Sequence, residues 1–219
     1  METVEVFSKH SREYDSWYKT PQGLAVLEGE ARLLDILLPR GVGLDLGAGT
    51  GVFAERLGEG REIVCMEPSS GMLEIARYRC LHTIQALGEY PPIRDNSMDF
   101  VYMVTVLEFL ETPKYTLKVI RSLLKPNGVL AVLSIEKESP WGKLYQEIAG
   151  KKQDPVLSIA KFYTRGEVEE ILKVSGYHIF SEGATLDYEP LTVPREKPKA
   201  YIEEDCPSCG VFVLVARPR

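Results

Sequence analysis

Apolar residues at Leu24, Leu27, Ala31, Leu34 and Leu38 recur at three- and four-residue intervals. That spacing puts them on one face of a helix, and residues 1–38 read as helical, ended by Pro39-Arg40-Gly41. From residue 42 the pattern changes. Runs that are apolar nearly throughout, at 42–46, 62–67 (EIVCME), 99–106 (DFVYMVTV) and 129–136 (VLAVLSIE), predict strands. They alternate with helical stretches at 52–59, 69–79 and 113–124, and a further strand is predicted at 82–87. Ser69 or Ser70 suits an N-cap, Pro113 suits a first helical position, and KPNG at 125–128 suits a turn.

Strands apolar on both faces and separated by helices imply a parallel sheet covered on both sides. After residue 136 the alternation breaks, and 139–160 reads as a long connection. Thr164 with Glu167 matches a capping box and opens a helix through Ser175. Two strands follow, at 177–186 and 211–216, and the proline- and charge-rich YEPLTVPREKPKAYIEEDCPSCG between them reads as loop.

Composition adds limits. A chain of 219 residues with 44% apolar and 26% charged residues suits one globular domain. The formal net charge of −6 argues against a non-specific nucleic-acid binder, which needs a basic footprint. No run reaches the ~18–20 apolar residues of a membrane span. METVEVFSKHSREYD lacks the basic-then-apolar order of a signal peptide, so a cytoplasmic location is expected. The four cysteines are too few and uneven for a disulfide framework, and Cys65 reads as a small core residue. Cys206 and Cys209, in CPSCG, read as a turn before the last strand with two free thiols. With only His10, His82 and His178 to join them, no metal site is expected. Arg94 and Lys125 read as solvated, and Glu108 and Glu111 as a helix-terminal acid pair without an acid/base role.

The stretch that carries chemistry is LDLGAGTG, 44–51. Glycines at 47, 49 and 51 remove the Cβ atoms that keep a ligand off the backbone. A dinucleotide fingerprint needs its third glycine where Val52 stands, and a phosphate loop needs a Gly-Lys-Ser/Thr that is absent. Asp45 would repel a pyrophosphate and suits a cationic head group. Glu67, at the end of the second strand, suits the ribose hydroxyls. The ligand so described is a positively charged nucleoside without phosphate, and S-adenosylmethionine fits.

LDLGAGTG, CMEPSSGML, GEYPPIRDNSMDFVYMVTVLEFL and RSLLKPNGVLAVL, in that order, resemble the class I S-adenosylmethionine-dependent methyltransferases. The likeness is to the subgroup with ubiquinone/menaquinone-type methyltransferase domains, over roughly residues 7–180. It implies an α/β Rossmann-like sheet of seven strands in the order 3-2-1-4-5-7-6, strand 7 antiparallel, with helices on both faces. It also implies a helical lid or cap at 1–40 on a methyltransferase domain at 41–219. By resemblance, Gly47, Ala48, Gly49 and Gly51 approach the methionine part and Asp45 lies near its amino group. Glu67 holds the ribose, and Pro68 and Met72 flank the adenine. Leu87 stands where relatives often have Asp; Leu87 and Gly88 fall near the adenine, and Glu89 is either a cofactor-side or a structural acid. Phe109 replaces a frequent His, which removes one candidate general base.

SREYDSWYKT resembles the family's YDxWY segment, which forms a lid over the cofactor. Tyr14, Trp17 and Tyr18 make an aromatic stripe there, and Tyr14 is the weak candidate for a residue beside the methyl group. The expected activity is methyl transfer to a small molecule, in a pocket roofed by residues 7–20 and 139–163. The alternatives are a cofactor-binding protein without turnover, a nicotinamide oxidoreductase, and a metal or metalloid protein using Cys206 and Cys209. Acceptor and oligomeric state are not encoded legibly.

Overall fold

Strands with two apolar faces fold only if both faces are covered, and the computed structural model, which describes residues 2–219, shows how. The strands are β1 (Gly41–Leu46), β2 (Arg61–Met66), β3 (His82–Ile84), β4 (Met98–Val104), β5 (Leu124–Ile135), β6 (Tyr177–Thr185), β7 (Tyr201–Ile202) and β8 (Val211–Pro218). They form one sheet in the order β3-β2-β1-β4-β5-β8-β6-β7. β1 to β5 pair in parallel, and β8 runs antiparallel to both β5 and β6. The order 3-2-1-4-5-7-6 is present once β8 is read as its seventh strand. The eighth strand is β7, a two-residue addition paired to Gly183 and Ala184 within the segment expected to be loop.

Alternation along β4 shows the two cores directly. Phe100 and Tyr102 join the core with α3 (Pro21–Leu37) and α4 (Val52–Leu57), through Leu33, Leu34, Phe53 and Leu57. Val101 and Met103 join the other core, with α6 (Pro113–Leu123) and α8 (Arg165–Val174), through Leu117, Ile120 and Leu172. Each buried leucine of this kind contributes roughly 1.5–3 kcal/mol.

The N-terminal helical region is three helices: α1 (Glu2–Lys9), α2 (Ser11–Trp17) and α3. The last break is local chemistry, since Thr20 accepts from the Gly23 N–H at 3.1 Å and Pro21 takes the first helical turn. α5 (Ser70–Ala76) starts at the Ser69 cap, and α8 carries the full Thr164–Glu167 capping box. Four expectations are corrected. The 139–160 connection contains α7 (Pro140–Gly150), capped by Ser139, whose hydroxyl accepts from the Gly142 N–H at 3.0 Å. KPNG is not a turn between helix and strand but lies within β5, bulging where pairing jumps from Met98–Leu124 to Phe100–Val129. No thiol is free, because disulfides join Cys65 to Cys80 and Cys206 to Cys209. Lys125, too, is not simply solvated, since its ammonium pairs with Asp99 at 2.8 Å.

α2 is tied down over the glycine loop. Asp15 pairs with Lys19 at 2.7 Å and with Arg79, whose guanidinium also donates to the Thr50 carbonyl at 2.9 Å. Burial pushes the Asp15 carboxyl up, but these hydrogen bonds prevail and hold it at about 2. On α1, the Ser8 hydroxyl accepts from the Gly71 N–H at 3.0 Å.

Candidate active site

In parallel sheets ligands bind beyond the carboxyl ends of the strands, where chain direction splits. The segments following β1, β2 and β4 meet there and enclose a cavity of about 820 Å³.

One end is the glycine loop. The Gly47 and Ala48 N–H groups both donate to the Met66 carbonyl, at 2.8 and 3.1 Å, which pins the loop to the end of β2. Gly49 has φ +55°, and a Cβ there would meet nothing nearer than Tyr14 Cε1 at 3.7 Å. The cradle is therefore open toward the cavity, closed by no side chain of its own. The Gly49 N–H donates to Glu67 Oε2 at 2.9 Å, and the Ser69 N–H to Oε1 at 2.8 Å. Burial raises the Glu67 carboxyl, and these two amides pull it partly back.

Gly47, Gly49, Glu67, Pro68 and Met72 line this end, as do Leu87, Gly88 and Glu89. Glu89 Oε1 also accepts from the Thr116 hydroxyl at 3.2 Å, which ties it to α6. Asp45, Ala48 and Gly51 are not on the wall. Asp45 lies beneath the loop and accepts the Tyr102 hydroxyl at 2.8 Å; burial, partly offset by that bond, pushes its carboxyl up to about 7. Gly51 is the N-cap of α4, next to Cys80.

The other end is aromatic. Phe7, Tyr14, Trp17 and Tyr18 line it from the N-terminal helices, and Trp141, Tyr145 and Phe162 from the far side. Tyr14 and Tyr18 meet edge-on with hydroxyls 3.3 Å apart, and burial raises the Tyr14 phenol to about 12. Phe109 packs edge-on against Phe7, with ring centroids 4.9 Å apart. Among the described residues no Lys or Arg lines the cavity.

Of two acids at this end, Glu30 was missed in the sequence and Glu108 reads there only as half of a helix-terminal acid pair. Glu108 is buried on the wall, its Oε1 accepts from the Ile135 N–H at 3.2 Å, and its Oε2 has no partner. Burial pushes it up to about 7. Glu30 is buried on the wall too and pushed up to about 8, by burial and then by the charge of Glu108. The available signal for Glu30 was an acid between Val26 and Leu34 on the apolar stripe of α3. Glu108 lies four residues past β4, in a 3-10 turn, and nothing in its sequence context marked it as a wall residue.

The comparisons with known proteins agree with this geometry. Residues 44–132 match the family described as a methyltransferase domain. An uncharacterised protein of Methanocaldococcus jannaschii is 33% identical over 174 residues, 80% of this chain and 82% of that one. An uncharacterised protein of Mycobacterium tuberculosis is 33% identical over 182 residues, 81% of this chain and 61% of that one. A crystal structure from Thermotoga maritima, described as a SAM-dependent methyltransferase and "possible histamine N-methyltransferase", superimposes with a TM-score of 0.88 at 28% identity. That match covers 99% of this chain and 100% of the other. A sheet of this order, with an open glycine cradle after β1 and a buried acid at the end of β2, fits the S-adenosylmethionine-dependent enzyme class that these comparisons indicate. The chain belongs to the class I S-adenosylmethionine-dependent methyltransferases. Among the described residues no helix is long and apolar enough to cross a membrane.

Proposed function

We propose that this protein transfers the methyl group of S-adenosylmethionine to a small molecule held at the aromatic end of the cavity. The observation that carries the reading is the continuity of one cavity from the open Gly49 cradle to the ring-lined end. The bound donor would supply an activated methyl on a sulfonium, so the protein's task is alignment and exclusion of water. Gly47 and Gly49 would seat the methionine part, and Glu67 would accept from the ribose hydroxyls while its own amide bonds keep it in place. Met72, Pro68 and Leu87 would sandwich the adenine. Asp45 would act at one remove, through the loop and Tyr102.

Residues 1–40 would serve as a lid, with Tyr14 beside the reacting centre. In support, α1 and α2 contribute wall residues and are tied to the body through Ser8 and Asp15. The 139–163 segment would roof the acceptor, as Trp141, Tyr145 and Phe162 suggest by lining it.

Calorimetric titration with S-adenosylhomocysteine, run beside NADH, tests the reading. One-site binding of the former alone is expected, followed by methyl transfer within a panel of small acceptors. Binding of NADH instead, or of neither, would overturn it.

A further inference from the structure

The cavity wall has an electrostatic asymmetry that the donor site does not use up. Tyr14 feels the charges of Glu30, Glu67 and Asp45, and Tyr18, Tyr145 and Tyr188 feel that of Glu30. Glu30 lines the cavity together with Tyr18, Trp141 and Tyr145. Among the described residues nothing donates a hydrogen bond to it, and its charged neighbour is another acid, Glu108, which carries an unpartnered oxygen of its own. Several rings line the same cavity. Trp141 meets Tyr145 and Tyr188 edge-on, at centroid distances of 5.9 and 5.4 Å. The indole N–H is already committed to the Tyr188 carbonyl at 2.9 Å. The Tyr188 hydroxyl has no partner.

A buried carboxyl without a donor is costly and is stabilised by a ligand that brings one. Aromatic side chains and acids on one wall, with no Lys or Arg among the described lining residues, favour a cation. We propose that the acceptor is a small molecule with a basic nitrogen that enters as its ammonium and pairs with Glu30 at the end of the cavity lined by Tyr14, Tyr18, Trp141 and Tyr145, and that the nitrogen gives a proton to the Glu30 carboxylate before its lone pair takes the methyl and S-adenosylhomocysteine leaves. This rests on the methyltransferase reading and adds the substrate class to it. The titratable groups facing Glu30 are Tyr14, Tyr18, Tyr145, Tyr188 and Glu108. The phenols stay neutral near neutral pH, so the acids supply the pH dependence. An arriving ammonium favours the ionised carboxyl, so amine binding at about pH 7 releases a proton from Glu30.

The test uses the full chain saturated with S-adenosylhomocysteine. Phenethylamine and tryptamine are titrated against their neutral counterparts 2-phenylethanol and tryptophol, each in two buffers of different ionisation enthalpy. The expected result is at least a tenfold preference for each amine, with up to about one proton released per amine bound. In Glu30→Gln the preference falls below about threefold and the proton release disappears, while affinity for S-adenosylhomocysteine is kept. If that variant does not fold, Tyr145→Leu serves, and it is expected to weaken the amines about fivefold or more and the alcohols little. Equal binding of amines and alcohols by the wild type, no amine binding, or a preference that survives Glu30→Gln overturns this inference alone. Failure of S-adenosylhomocysteine to bind overturns the methyltransferase reading and this inference with it.

Discussion

At the glycine-loop end of the cavity Glu67 receives two backbone N–H groups, whereas at the aromatic end Glu30 receives none. Both are buried glutamates on one wall. The first is held in place by the chain that delivers it, through the amides of Gly49 and Ser69. The second hangs from a helix among rings, with its desolvation cost uncompensated. A site whose polar groups are satisfied in advance is organised for one ligand and changes little on binding. A site whose acid is unpartnered is poised to respond to ligand and to pH. The contrast separates a carboxylate held by the backbone at one end of the cavity from one left without a donor at the other.

The largest expected effect comes from pH. A buried carboxyl raised in the folded state takes up protons on folding, so stability is greatest in acid and falls as pH rises from about 4.5 toward about 8 for Glu30. Glu108 and Asp45 add to this up to about pH 7. The ligand-free protein should lose several kcal/mol between about pH 5 and pH 8.5, roughly 4 of them from Glu30, read as denaturant midpoints. Glu30→Gln should remove the part of the slope between about pH 7 and pH 8 and lessen it below. A flat wild-type profile would erase the contrast between the two acids.

Next comes the donor seat itself. Glu67→Ala leaves the amides of Gly49 and Ser69 without their acceptor and should weaken S-adenosylhomocysteine about 100-fold, or about 3 kcal/mol, by calorimetry. Asp45→Asn should weaken it less, because Asp45 acts from beneath the loop. Equal losses would place both acids on the ligand.

The loop glycines give a smaller, internal comparison. Gly47 has φ +73° and a Cβ there would sit 2.6 Å from Val106 Cγ2, while a Cβ at Gly49 has room. Gly47→Ala should cost about 2–3 kcal/mol of stability and Gly49→Ala about 1, since the latter bears only the backbone penalty. Thermal unfolding of the two variants checks the order.

The smallest effect is at the far turn. Cys206 and Cys209 close a three-residue separation, so replacing both by Ser should cost roughly 1 kcal/mol and leave S-adenosylhomocysteine affinity unchanged. A large loss of affinity would mean that this turn, which precedes the wall residues Gly210 and Val211, governs the cavity.

The same contrast explains what the sequence discloses. The donor end is made of contiguous pieces at strand ends, so the β1 loop with Gly47 and Gly49, and Glu67 after β2, can be picked out by spacing alone. The sheet was legible because its strands are apolar on both faces. The aromatic end draws Phe7, Tyr14, Glu30, Glu108 and Trp141 from separate elements, and no local spacing links them. α7 did carry a signal, with Trp141, Tyr145 and Ile148 at helical intervals behind Ser139-Pro140, but glycines at 142 and 150 dilute it. Ala48 and Gly51 show the converse: they belong to the motif but not to the wall, because one turns the loop and the other caps α4. The disulfides could not be read from cysteine spacing, since Cys65 meets Cys80 only after α5 folds back beside Gly51.

The most direct test of a cavity with two differently built ends is a crystal structure of the S-adenosylhomocysteine complex. The account predicts the ribose on Glu67, the homocysteine over Gly47 and Gly49, and the sulfur directed past Tyr14 toward the space around Glu30. A ligand whose sulfur points away from that space, or whose ribose leaves Glu67 untouched, would contradict it.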